Sequence, residues 1–194
     1  MLAQTDTGAE LVSMLNLPED YNSNTLALLR KGDSRYIKDL KVNFKNVLNT
    51  DHLSEKETAL IGLAVAVNQN NDVLANYFTK LSKEKEASEA EIADASACAS
   101  LLASNNVFYR FRHFAKKEKY EQLPARIKMN IMMKPLLGKE FFELVSLAIS
   151  AVNGCEQCVV SHEHSLIELG SSEERIFDAV RLSSVVVSLS KVIY

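Results

Sequence analysis

The strongest constraint on this 194-residue chain is how often, and how plainly, it marks the start of a helix. Ser54-Glu55-Lys56-Glu57, Ser88-Glu89-Ala90-Glu91 and Ser171-Ser172-Glu173-Glu174 each fit the S-x-x-E capping box. In that box a serine oxygen accepts an orphan N–H and the glutamate reaches back to the cap. Apolar residues recur at three- and four-residue spacing almost throughout, and only 6 glycines and 3 prolines interrupt them. The pattern predicts helices over about 35–48, 54–68, 70–84, 89–103, 105–118, 139–152, 155–169 and 172–192, and no alternating strand pair. The expected fold class is all-α.

Asn153-Gly154 and Gly170 sit where one helix must stop and the next begin, so the last three helices read as a compact unit ending in an α-hairpin. The stretch 120–124 and the Lys134-Pro135 step read as breaks between halves. The three-helix unit is expected to occur twice. An offset of 85 lays Leu60-to-Val67 over Val145-to-Val152, and one residue of slippage then lays Ile92–Ala95 over Ile176–Ala179. At that offset Asn70 and Val73 occupy the positions of Cys155 and Cys158, so thiol chemistry belongs to the second half alone. The expected organisation is an N-terminal extension of unassigned role at 1–22, a first half at about 23–120 and a catalytic half at about 121–194.

Several classes of function are disfavoured by composition. The formal charge is -3, with no basic block or aromatic-basic stripe that suggests a nucleic-acid surface. The 47% of hydrophobic residues are dispersed rather than gathered into a run of about 18 or more that reads as a membrane span. Met1-Leu2-Ala3-Gln4-Thr5-Asp6 lacks the basic start and apolar core of a secretory signal. Three cysteines, an odd number, make no extracellular disulfide framework. The expectation is a soluble cytoplasmic protein in which a C-x-x-C pair is reactive or metal-binding.

That pair is Cys155 and Cys158, with His162 four residues on and Glu143 twelve residues before the first thiol. At about 100° per residue, both cysteines and His162 fall on one helical face. Helix-dipole reasoning marks Cys155, inside the first helical turn, as the more acidic sulfur. His162 can take a proton from Cys158 one turn away, and Glu143 can orient the imidazole. One sulfur can then attack a peroxide and the other resolve the sulfenic acid to a disulfide. Cys155, Cys158, His162 and His164 can also be counted as a Cys₂His₂ zinc set, although a continuous helix turns His164 away from Cys155. Cys98, among alanines, reads as core filling. Three functions remain open on these residues: a peroxidase, a general thiol–disulfide oxidoreductase or redox sensor, and a non-catalytic zinc-binding protein.

From Glu143 to His162 the chain resembles the E-x11-C-x-x-C-x3-H signature of the alkyl hydroperoxidase D family, within the carboxymuconolactone decarboxylase-like superfamily. The resemblance extends to Asn105–Arg110, Met129-Asn130-Ile131 and Ser161–His164, and covers about 24–194. It implies an all-α fold of two related halves assembled as a homotrimer or a multiple of it. It also implies a peroxidase without haem or flavin, acting on alkyl hydroperoxides and on peroxynitrite or hydrogen peroxide. By the same resemblance Cys158 is the peroxidatic thiol, Cys155 the resolving one, and Glu143 with His162 the proton relay. Gln157 stands where the family often has a relay histidine, and an amide hydrogen-bonds water but does not shuttle protons. No bound cofactor is implied. Reducing equivalents are expected from a dihydrolipoyl or other dithiol donor, with a dihydrolipoamide acyltransferase and a peroxiredoxin, alkyl hydroperoxide reductase C, as partners.

Overall fold

The computed structural model describes residues 7–194. Among them the secondary structure is entirely helical: α1 (Thr7–Met14), α2 (Asn24–Lys31), α3 (Tyr36–Val47), α4 (Glu55–Asn68), α5 (Asp72–Glu84), α6 (Glu89–Ala115), α7 (Glu118–Gln122), a 3₁₀ turn at Asn130–Met133, α8 (Lys139–Val152), α9 (Glu156–Glu168) and α10 (Glu173–Ser190). No helix among the described residues is long and apolar enough to cross a membrane.

Ser54 and Ser88 form complete capping boxes with Glu57 and Glu91. The third box is corrected by one residue. Ser172 is the cap, its side chain accepting from the Arg175 amide, so Arg175 and not Glu174 occupies the third helical position. Ser171 instead donates to Glu140. The displaced box frees Arg175 for a larger task. Its guanidinium reaches Glu57 of α4 at 2.6 Å and Glu140 of α8 at 2.9 Å, tying three helices together. Burial alone would raise both carboxyl groups, but hydrogen bonds from Arg175 hold each below the usual carboxylate range.

The duplication has a cleaner register than apolar matching suggests. Helix starts at Glu55, Asp72 and Glu89 are followed by starts at Lys139, Glu156 and Glu173, a constant step of 84 residues without slippage. The turns repeat with the helices. Asn70 and Gly154 both take positive φ after the first helix of their set, and Glu86 and Gly170 do so after the second. At each turn the next residue's N–H closes onto the carbonyl five residues back: Asn71 to Ala66, Cys155 to Ser150, Ala87 to Ser82 and Ser171 to Leu166. These are Schellman closures, which cap the end of a helix and set the direction of the next. Apolar residues can slide one place in an alignment, whereas a left-handed cap cannot. The counterparts of Cys155 and Cys158 are therefore Asn71 and Leu74, rather than Asn70 and Val73.

A second correction concerns α6. The expected break near residue 104 does not occur, and the helix runs unbroken to Ala115, where Lys116 in the left-handed region ends it. Asn105 and Asn106 disfavour helix interiors because their side chains compete for the backbone. Here those side chains are engaged elsewhere: Asn106 donates to Ser150 Oγ at 2.9 Å and Asn105 to Met129 Sδ at 3.1 Å. Tertiary partners have removed the local competitor. The short helices α1, α2 and α7 were not anticipated.

The core is continuous across both sets, from Phe44 and Phe78 to Phe142, Leu182 and Ile193. From residue 7 onward the predicted N-terminal extension joins it, since Leu11, Val12 and Leu15 of α1 and its turn are buried. The first six residues of that extension lie outside the described residues. The C-terminus is held from the other side. Asn71 caps α5 through the Leu74 amide and also donates to the carbonyls of Ser190 and Ile193.

Gly62 in the middle of α4 marks the closest approach between helices. A Cβ built there would lie 2.2 Å from the ring of Phe78, which is fully buried and cannot swing away. Gly62→Ala should therefore destabilise the fold by about 1–3 kcal/mol through overpacking, despite alanine's better helix propensity. Chemical denaturation of the two proteins provides the check; equal or greater stability of the variant contradicts the close contact.

Candidate active site

Helices α8 and α9 form an antiparallel hairpin about the Asn153-Gly154 turn. Gly154 has φ +68°, a conformation that costs a residue with a Cβ about 1–2 kcal/mol. The turn is also braced by side chains. Arg110 donates to the Asn153 carbonyl, Asn153 donates to Asn106 Oδ1 at 2.9 Å, and Asn68 donates to Asn153 Oδ1 at 2.9 Å. The same turn is therefore tied to α4 and α6.

The turn delivers Cys155 as the N-cap of α9 and Cys158 as its third helical residue. The two are disulfide-bonded, with Cα atoms 5.3 Å apart. Both sulfurs are thus at the helix mouth, whereas sequence reasoning placed Cys155 inside the first turn. Cys158 is the one among the orphan N–H groups that favour a thiolate. The two also differ in access. Cys155 is 0% exposed and Cys158 8%.

His162 lies one turn beyond Cys158 and Glu143 projects from α8. Measured from the turn, the two are at similar height on antiparallel helices, and they meet: Nδ1 of His162 donates to Oε2 of Glu143 at 2.6 Å. Both side chains are nearly closed to solvent. With Nδ1 engaged, Nε2 is the nitrogen left to exchange a proton with a reactant.

Cys158 and His162 border a cavity of about 330 Å³. Leu102, Met129 and Met132 supply apolar wall, and Asn105, Tyr109, Gln157 and Ser161 supply polar groups. Cys155 is not part of the lining. Gln157 is exposed and faces this cavity, so it can hydrogen-bond a guest or a water. Sequence reasoning identified Glu143, Cys155, Gln157, Cys158 and His162, and the structure brings them together. It missed the opposite wall. The available signal was Asn105–Arg110 and Met129–Ile131, recognised as family-like stretches but given no place beside the thiols.

The two remaining candidates lie elsewhere. His164 is exposed and pairs with Glu168 at 3.3 Å, so it does not converge with the cysteines. Among the described residues no group of three or more His, Cys, Asp or Glu side chains gathers as a metal site. Cys98 is fully buried against Ser146 Oγ, and burial pushes its thiol up to about 12.

The profile of the carboxymuconolactone decarboxylase family matches residues 118–192, a segment that contains the hairpin and the cysteine pair. An alkyl hydroperoxide reductase AhpD of Anaeromyxobacter dehalogenans is 42% identical over 150 residues, covering 77% of this chain and 80% of the relative. The chain belongs to the AhpD family. Alkyl hydroperoxide reductases AhpD of Coxiella burnetii, 38% identical over 81% of this chain and 90% of theirs, and of Azorhizobium caulinodans, 40% identical over 79% and 84%, are similarly related. As in the family signature, the AhpD-type cysteines of this chain follow a glutamate and precede a histidine.

The three thiols of this AhpD-family chain should separate by access. After reduction, iodoacetamide should label Cys158 first, Cys155 more slowly and Cys98 only on unfolding, as read by peptide mass spectrometry. Labelling of Cys155 ahead of Cys158 contradicts the burial order.

Proposed function

We propose that this chain is a thiol-dependent peroxidase that reduces alkyl hydroperoxides, with Cys158 attacking and Cys155 resolving. The observation that carries the reading is that Cys158 borders the cavity beside His162, while its disulfide partner Cys155 is shut inside. An attacking sulfur needs a path to the oxidant; a resolving sulfur needs only its neighbour. Access therefore favours Cys158, whereas dipole reasoning on the sequence favoured Cys155.

The steps follow from the groups present. In the reduced form the Cys158 proton passes to His162, whose positive charge Glu143 stabilises through Nδ1. The Cys158 thiolate attacks the terminal oxygen of ROOH. As the S–O bond forms, the O–O bond breaks, and its electron pair leaves with RO⁻, which takes the proton from His162 to depart as ROH. Cys158 is now a sulfenic acid. Cys155 loses its proton, and its sulfur attacks that of Cys158. The expelled hydroxide takes a proton and leaves as water, giving the disulfide seen in the structure. Gln157 can hold a water or the guest here but takes no proton step. Hydrogen peroxide and peroxynitrite are smaller oxidants for the same thiol.

A dithiol restores the enzyme, one thiolate opening the disulfide and the second thiol completing the exchange, with two electrons and two protons returned. The proposed donor is the dihydrolipoyl group of a dihydrolipoamide acyltransferase, with a peroxiredoxin, alkyl hydroperoxide reductase C, as the partner receiving electrons. Family resemblance supports both, and the odd cysteine count, which makes no extracellular disulfide framework, supports a cytoplasmic setting.

Peroxide consumption with a dihydrolipoyl donor should vanish in Cys158→Ser, and an undiminished rate there rejects the assignment. Glu143→Gln and His162→Phe should each slow Cys158 oxidation by about 10²–10⁴-fold with the fold retained, the range for general acid–base catalysis. Unchanged kinetics in both variants removes the relay.

We also propose assembly as a homotrimer or a multiple of it. Val107, Phe111 and Phe114 leave an exposed apolar row on the second half of α6, which supports a contact between copies. Sedimentation equilibrium should give a mass of three chains or a multiple; a monomer at micromolar concentration rejects it.

A further inference from the structure

Asn105, which lines the same cavity as Cys158, holds a polar atom whose environment is unsatisfied. Asn105 is 4% exposed, and its Oδ1 is closed to solvent without a hydrogen-bond partner among the described residues. The orientation of the amide is decided by chemistry. Its other arm lies 3.1 Å from Met129 Sδ, and a thioether can only accept, so that arm is the NH₂ and the remaining one is the carbonyl oxygen. A buried acceptor left unpaired carries an uncompensated desolvation penalty, which a donor brought into the cavity would relieve. Asn105 itself borders the cavity that Cys158 and His162 line.

We infer that Asn105 is a substrate-binding residue, its Oδ1 accepting the O–H of an organic hydroperoxide and holding the terminal oxygen toward Cys158. The inference rests on the peroxidase reading. The proton ledger favours an acceptor at this point. In ROOH the attacked oxygen carries the molecule's single donor hydrogen, which stays on that oxygen as it becomes the sulfenic O–H. The leaving oxygen, by contrast, needs a donor, and His162 is placed to be one. Gln157 and Ser161 also border the cavity but are exposed, so water already satisfies them. At Asn105, by contrast, the acceptor is closed to water, so a guest's O–H displaces none. Leu102, Met129 and Met132 then face the organic group, which selects an alkyl or aryl monohydroperoxide over a dialkyl peroxide that has no O–H to offer.

The test compares stopped-flow oxidation of reduced wild type, Asn105→Leu and Asn105→Asp by cumene hydroperoxide. Each protein is also treated with 4,4′-dithiodipyridine, an apolar disulfide without an O–H, and its thiolate absorbance is titrated against pH. Asn105→Leu should lose roughly ten- to a hundredfold in rate constant toward the hydroperoxide, a range that one buried hydrogen bond supports. Its rate with dithiodipyridine and its thiolate titration should stay at wild-type values. Asn105→Asp, which keeps an acceptor oxygen, should lose less than Asn105→Leu. An unchanged hydroperoxide rate in Asn105→Leu overturns the assignment. An equal loss with both oxidants does so too, by showing that Asn105 acts on the thiol or the fold. A wild type that reacts with dithiodipyridine but not with the hydroperoxide brings down the peroxidase reading itself, which separates that failure from one confined to Asn105.

Discussion

The chemistry of this chain depends on one tight connection, the Asn153-Gly154 turn that reverses α8 into α9. A left-handed glycine ends one helix, the Cys155 amide closes onto Ser150, and the next helix begins at once. With the turn this short, side chains two to three helical turns away on either side are brought close together. That is why a glutamate and a histidine 19 residues apart in sequence form a 2.6 Å hydrogen bond. The amide side chains of Asn68, Asn106 and Asn153, with Arg110, anchor the same turn to the rest of the bundle. A turn held on several sides keeps the cysteine pair and its base in a constant relation.

The repeat of 84 residues makes the second half's specialisation visible. Ala59, Leu74 and Phe78 stand where Glu143, Cys158 and His162 stand in the other set, and all three are fully buried apolar residues. The same hairpin thus builds core in one copy and a reactive site in the other. At the N-cap position, Asn71 grips the C-terminal backbone where Cys155 carries a thiol. Asn71 also caps its own helix through the Leu74 amide, whereas Cys155 makes no side-chain cap.

Electrostatics divides along the same line. The Arg175 cluster with Glu57 and Glu140 consists of permanent charges that cross-link α10, α4 and α8, and its carboxyl groups are held low. Such a cluster favours one packing arrangement and has no proton to exchange near neutral pH. The Glu143–His162 pair instead presents its imidazole to the cavity. Cys98 illustrates the opposite outcome for a thiol: deep burial keeps it protonated and out of reach.

The all-helical class, most helix boundaries and the set of Cys155, Cys158 and His162 were legible in the residues alone, because helix caps, 3.6-residue periodicity and i, i+3, i+7 spacing are local properties; Glu143 joined them through the family signature. The sequence did not determine the continuity of α6, where the amide N–H groups of Asn105 and Asn106 bond to Met129 and Ser150 of distant segments. Nor did it determine the one-residue shift that makes Ser172 the cap and sends Arg175 across to two other helices. Which sulfur meets the cavity, and which residues complete its lining, follow from packing between distant segments. Access is set by the packing of α6 and the 129–132 segment over α9, and segments that far apart in the chain leave no spacing rule to read.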